Sequence, residues 1–132
     1  MINIGSVNGM LCYSHPTYSG AKAAVFSLTQ NMAALLGPDN IRVNAIAPGT
    51  IRNPAWGARS TKEPTLLADL ARYIPLGRIG TPEHVADAVA FLASDAASHI
   101  TCVILHVDGG LTTGVLPMAI QISGGPRSES AS

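Results

Sequence analysis

Charge is scarce in this chain. Its 132 residues include 8 Lys and Arg against 8 Asp and Glu, so charged residues make up 12% and the formal net charge is zero. No Lys/Arg cluster occurs, which argues against a nucleic-acid partner, because phosphate backbones are held by a basic footprint. Cysteine is almost absent. Cys12 and Cys102 lie far apart, with no CxxC pair and no His/Cys cluster. No metal site is expected from this pattern, and buried free thiols in a reducing cytoplasm are expected rather than a disulfide. Apolar runs fall short of the roughly 18 residues a membrane span needs. The start shows no basic region followed by an apolar run, the mark of a signal peptide. The expectation is a cytoplasmic protein with no membrane partner.

Apolar residues are plentiful, at 47%. A chain of this length can build one domain with a real core, but not two. So little charge on so small a domain implies that part of its surface meets another subunit or a further segment. Residues 1–116 read as the structured unit. Residues 117–132 read as a polar tail.

Met1–Gly5 reads as a strand and Val7–His15 as a loop. Pro16 suits a first helical turn, where a missing N–H costs nothing. The helix it opens runs to about Leu36, with Ala21, Val25, Leu28, Met32 and Leu35 at helical spacing. Gly37-Pro38 stops it, with glycine expected in the left-handed cap. Ile41–Ala47 alternates as a strand, placing Ile41, Val43 and Ala45 on one side, and ends at Pro48-Gly49. Residues 50–75 are irregular, with a short helix expected around Leu66, Leu67, Leu70 and Ala71. Thr81-Pro82-Glu83 opens another helix, with Thr81 as N-cap and Val85, Ala88, Val89 and Leu92 as the apolar face. Val103–Val107 reads as a buried strand closed by Asp108-Gly109-Gly110. Alternating strands and helices predict an α/β fold with a parallel sheet, whose ligands sit beyond the carboxyl ends of the strands.

At that edge stand a hydroxyl, a phenol and an amine. Tyr18 and Lys22 are four apart on a helix, so their Cβ atoms lie roughly 5–6 Å from each other. An ammonium beside a phenol favours the phenolate, and a phenol so poised is a general acid or base. Ser6, at the end of the first strand, could hold the reacting oxygen. By itself Tyr-x-x-x-Lys is a weak signal, equally read as a half-buried tyrosine beside a solvated lysine. A serine hydrolase using Ser6 with His15 lacks both a Gly-x-Ser-x-Gly elbow and an orienting acid.

Five ordered segments add context: Ile2-Asn3-Ile4-Gly5-Ser6-Val7-Asn8-Gly9, Tyr18-Ser19-Gly20-Ala21-Lys22-Ala23, Ile41 through Gly49, Pro75 through Glu83, and Val107-Asp108-Gly109-Gly110. Together they resemble the short-chain dehydrogenase/reductase family, from Ile2 to about Gly114. The resemblance implies the last three strands, with flanking helices, of a Rossmann-like parallel sheet, an incomplete copy resembling the family's C-terminal half. It implies catalysis by Ser6, Tyr18 and Lys22. Tyr18 would exchange a proton with the substrate oxygen. Lys22 would favour its phenolate and hold the nicotinamide ribose, and Ser6 would orient the substrate carbonyl. Pro48, Gly49, Ile51 and Asn53 would border the nicotinamide of NAD or NADP. Residues 50–75 would form a substrate lid in which Trp56 contacts a small carbonyl or alcohol substrate, although an ordinary packing role suits Trp56 equally.

Departures accompany the resemblance. No Gly-rich turn follows a first strand, Asn53 stands where threonine is usual, and Cys102 stands where glycine is common. The Tyr18 helix is expected to pair with its equivalent in a homo-oligomer. The alternative is a non-catalytic truncated fragment that at most associates with intact relatives. His15, His84 and His99 read as surface residues, His106 as a hydrogen-bonded core histidine, Asn44 as a backbone-bonding residue at the sheet end, and Asp108 as the organiser of the Gly109-Gly110 turn.

Overall fold

The structure is a computed structural model that describes residues 1–11, 13, 15–52, 65–114 and 122. Strand β1 (Ile2–Ile4) leads into a 3-10 turn at Val7–Gly9 and then helix α1 (Pro16–Leu36). Strand β2 (Asn44–Pro48) follows, then the short helix α2 (Leu66–Ala71), helix α3 (Pro82–Ala93) and strand β3 (Ile104–Val107). The three strands form one parallel sheet in the order β1-β2-β3. Register is set by Ile2 opposite Asn44 and by Ala45 opposite Ile104.

The two long helices pack on opposite faces of this sheet. Val7, Phe26, Ala45 and Ala47 form the core beneath α1, with Ile104 and Leu111 against it. Ile46, Leu92 and Ala97 form the core beneath α3, joined by Val85, Ala88 and Val89. Successive side chains of a strand point to opposite faces. Ala45 and Ala47 therefore meet α1, while Ile46 meets α3. Because β2 is central, both of its faces are sealed. Asn44, Ala45, Ile46 and Ala47 are all buried, which one-sided alternation does not capture.

Asn44 owes its burial to complete pairing. Its amide donates to the Ile100 carbonyl at 2.9 Å and its oxygen accepts from the Val103 N–H at 3.1 Å. Arg42 performs a similar service at the far end of α3. Its guanidinium donates to the carbonyls of Leu92, Ile100 and Ser94 at 2.8–3.2 Å, occupying acceptors that a helix end otherwise leaves open.

Several expectations are corrected. Gly37 is right-handed, with φ −54, and the left-handed residue is Asn40, with φ 59. A 3-10 turn at Gly37–Asp39 extends the helix before the chain reverses, so the reversal falls later than the glycine. Of the stripe read from Ala21, Val25, Leu28, Met32 and Leu35, Val25 and Met32 are half-buried and the other three are exposed. The buried residues of α1 are Phe26, Thr29 and Ala33, whereas Leu28 and Leu35 are 54% and 70% exposed. The helix carries two apolar stripes, and periodicity cannot tell which one faces the core. His106 is exposed, not a core residue, and its Nε2 lies 3.0 Å from Met10 Sδ. Cys102 is an exposed thiol, not a buried one, because it sits in a turn at φ 64, the left-handed conformation that glycine favours. The expected tail at 117–132 lies outside the described residues, apart from Ile122.

Candidate active site

The turn after β1 presses closely against α1, and two glycines permit it. A Cβ on Gly9 would lie 2.7 Å from the Lys22 carbonyl carbon and 2.8 Å from the Ala23 nitrogen, and one on Gly5 would enter the Phe26 ring. Ser6 lies between these contacts, so its segment and the start of α1 share one edge of the sheet. The residue is buried and extended, with φ −169, and caps the 3-10 turn. Its Oγ accepts from the Asn8 N–H at 3.2 Å, which leaves the hydroxyl proton free to be donated.

Lys22 ties the helix to the strand. Its ammonium donates to the Ile4 carbonyl at 3.1 Å and lies 5.7 Å from the centroid of the Tyr18 ring, within cation–π range. Tyr18 is 45% exposed, so its ring is open to a ligand while one side is held by the amine. Thr29 adds a second tie, accepting from the Asn3 amide at 2.9 Å and donating to the Val25 carbonyl at 2.8 Å. Lys22 thus joins the Tyr18 ring to the carboxyl end of β1, the strand that leads into Ser6. No hydrogen bond joins His15 to Ser6 among the described residues.

Pro48 and Gly49 close β2 beside the Asp108 turn. Pro48 pairs with Val107, and the Gly49 N–H donates to the Val107 carbonyl at 3.0 Å. Ile51 forms a parallel bridge with Gly80, flanked by the bonds Arg52 N–H to Gly80 O at 2.8 Å and Gly80 N–H to Thr50 O at 3.0 Å. Asn53 and Trp56 lie outside the described residues. A groove of about 460 Å³ is lined among others by Thr50, Ile51, Leu76 and Asp108, and neither Ser6 nor Tyr18 lines it.

Asp108 organises the turn as the sequence implies. Its Oδ1 accepts from the Gly110 N–H at 2.9 Å, and its Oδ2 accepts from the Thr112 N–H at 2.9 Å and the Thr112 hydroxyl at 2.7 Å. Burial pushes the carboxyl pKa upward. The Thr112 hydroxyl and the two backbone donors outweigh it, so the group ends below its ordinary value. A carboxylate with a lowered folded pKa adds stability that is complete above its unfolded value of about 3.9 and fades as pH falls through the lower folded value. Urea midpoints are expected to fall below about pH 4, with a shallower acid limb in Asp108→Asn. Equal acid limbs would contradict this.

Two contributors escaped the sequence reading. His84 is half-buried and closes a reciprocal cap with Thr81 rather than lying idle at the surface, and Arg78 stands against its outer nitrogen. Histidine in a position usually filled by Glu or Gln hid the capping pattern. Among the described residues, no three His, Cys, Asp or Glu side chains are placed to hold a metal, and no helix is long and apolar enough to cross a membrane.

A family profile described as enoyl-(acyl carrier protein) reductase matches residues 1–112. The chain is 51% identical over 114 residues to the uncharacterized oxidoreductase C922.06 of Schizosaccharomyces pombe, covering 86% of this chain and 44% of that protein. The chain belongs to the short-chain dehydrogenase/reductase family. A solved oxidoreductase of that family from Burkholderia thailandensis superposes with a TM-score of 0.89 at 42% identity, over 95% of this chain and 49% of that one. A 4-hydroxyisoleucine dehydrogenase complexed with NADH superposes with a TM-score of 0.74 at 34% identity, over 86% and 46%. The three-stranded parallel sheet with its helices is thus a short-chain dehydrogenase/reductase portion of a Rossmann-like fold, from an oxidoreductase family that uses nicotinamide cofactors. The chain spans about half the length of the relatives it matches.

Proposed function

We propose that this chain is the C-terminal, catalytic portion of an NAD(P)(H)-dependent oxidoreductase that interconverts a carbonyl and a secondary alcohol. One observation carries the reading: the Lys22 ammonium sits over the Tyr18 ring while bonded to the strand end that leads into Ser6. In this reading Tyr18 holds the proton exchanged with the substrate oxygen. Lys22 favours the phenolate and offers an N–H to the nicotinamide ribose. Ser6 donates its free hydroxyl proton to the substrate carbonyl. The backbone at Pro48, Gly49 and Ile51 borders the nicotinamide ring, with Asn53 reaching its amide and Trp56 facing the substrate.

The residues present fit the nicotinamide end of the cofactor. An exposed phenol and an ammonium stand side by side at the strand edge, offering donors to a ribose. When bound, the cofactor supplies or takes the hydride. No described residues form a Gly-rich turn for its diphosphate, so that end would be held by a preceding half.

NADH fluorescence titration tests this. The chain alone is expected to bind weakly. A chimera that joins it to the first half of the Burkholderia relative is expected to bind NADH and oxidise it with ketones. Tight binding by the chain alone, lost in a Tyr18→Phe, Lys22→Ala double variant, would show that no preceding half is needed. A chimera that binds NADH but reduces no carbonyl would remove the catalytic reading.

The exposed stripe of α1 supports a homo-oligomer formed through this helix. Leu28 and Leu35 offer apolar surface there, next to small residues that let two helices approach. Sedimentation is expected to show self-association, weakened at least several-fold in Leu28→Glu, Leu35→Glu. A wild-type monomer at all concentrations would oppose this.

A further inference from the structure

His84 occupies the third position of α3, and its ring completes the cap. The Thr81 N–H donates to Nδ1 at 2.9 Å, and the Thr81 hydroxyl oxygen lies 3.1 Å from the same nitrogen. A backbone N–H can only donate, so Nδ1 carries the lone pair, and the single proton of a neutral imidazole sits on Nε2. Arg78 Nη1 lies 3.1 Å from that same Nε2. A guanidinium also has donors only. In that tautomer two N–H groups face each other, and an acceptor entering beside them would take a hydrogen bond from each.

We infer that Arg78 and His84 form a two-donor site for an oxyanion, a carboxylate or a phosphate, on the wall of the groove that both line. An oxygen placed against Nη1 and Nε2 would accept from both, one of the bonds being charge-assisted. The neighbouring carboxylates are engaged elsewhere. Glu83 is hydrogen-bonded with the Thr81 hydroxyl, and both oxygens of Asp108 are taken by Gly110 and Thr112. Among the described residues the one ion pair joins Arg72 to Asp69, and no carboxylate there pairs with Arg78. The site stands on the Arg78–His84 geometry and holds whether or not the chain turns over a substrate.

The whole chain with 15N-labelled histidine allows a direct test. Inorganic phosphate and acetate are titrated separately while the His84 ring signals and the backbone amide of Thr81 are followed. The expected result is a ring protonated at Nε2 and a saturable shift with at least one anion. Stronger binding of phosphate would mark a phosphoryl-bearing ligand, and stronger binding of acetate a carboxylate. Arg78→Gln is expected to weaken binding by about tenfold. Two substitutions at His84 separate binding from folding. His84→Gln keeps an acceptor for Thr81 and a donor for the anion, so binding persists. His84→Glu keeps the cap but removes the donor and adds a negative charge, so binding is lost while the Thr81 amide stays in its capped position. A ring protonated at Nδ1, no saturable shift with either anion, or binding that survives in His84→Glu would overturn the site.

Discussion

Tyr18→Phe is expected to lower carbonyl reduction by about 10²- to 10⁴-fold, the usual worth of a positioned general acid, while NADH binding changes little. The measurement uses the chimera with a relative's first half, so that cofactor binding and turnover are read separately. The substitution deletes one oxygen and leaves the ring over which Lys22 sits. The ammonium keeps its bond to the Ile4 carbonyl, so the edge of the sheet should hold its shape. A loss confined to turnover therefore assigns the proton to the phenol. If Tyr18→Phe retains full turnover, another group carries the proton. Ester hydrolysis abolished by Ser6→Ala but not by Tyr18→Phe would instead point to a serine nucleophile.

Asn44→Ala is expected to destabilise the chain by about 2–4 kcal/mol in urea denaturation. The residue is almost fully buried, and both ends of its amide are in use. Its removal strands the Val103 N–H, leaves the Ile100 carbonyl with the Arg42 guanidinium alone, and opens a space beneath α3. Asn44→Asp separates the two contributions. The carboxylate still accepts from Val103, but it faces the Ile100 carbonyl with no donor, so most of the loss should remain at neutral pH and shrink as the carboxyl is protonated. A loss under 1 kcal/mol in Asn44→Ala would mean that water replaces both bonds.

Much of this architecture was legible because its signals are local. Thr81-Pro82 marked the start of α3, Val85, Ala88, Val89 and Leu92 marked its core face, and Asp108 announced the turn that it holds. The contact of Lys22 with the Tyr18 ring was legible as spacing on a helix. What stayed hidden depends on neighbours distant in sequence. Leu28 and Phe26 both belong to apolar stripes of α1, and only the position of the sheet decides that Phe26 is the buried one. His106 looked internal because it alternates within an apolar strand, yet it lies at the exposed margin of the face that Ile104 packs beneath α1. The Arg42 bonds to three carbonyls join positions about fifty residues apart and have no local signature. Asn53 and Trp56 lie outside the described residues, so the nicotinamide and substrate contacts assigned to them remain proposals.

The central place of β2 sets a schedule for self-assembly. Ala45 finds Ile104 only after α3 has left the ribosome, so one flank of the middle strand stays unpaired while the residues between them are made. Pairings this distant in sequence form slowly, and a greasy strand left waiting tempts neighbouring chains. Yield in a producing cell should therefore depend on chaperone supply and growth temperature more steeply than equilibrium stability alone would imply.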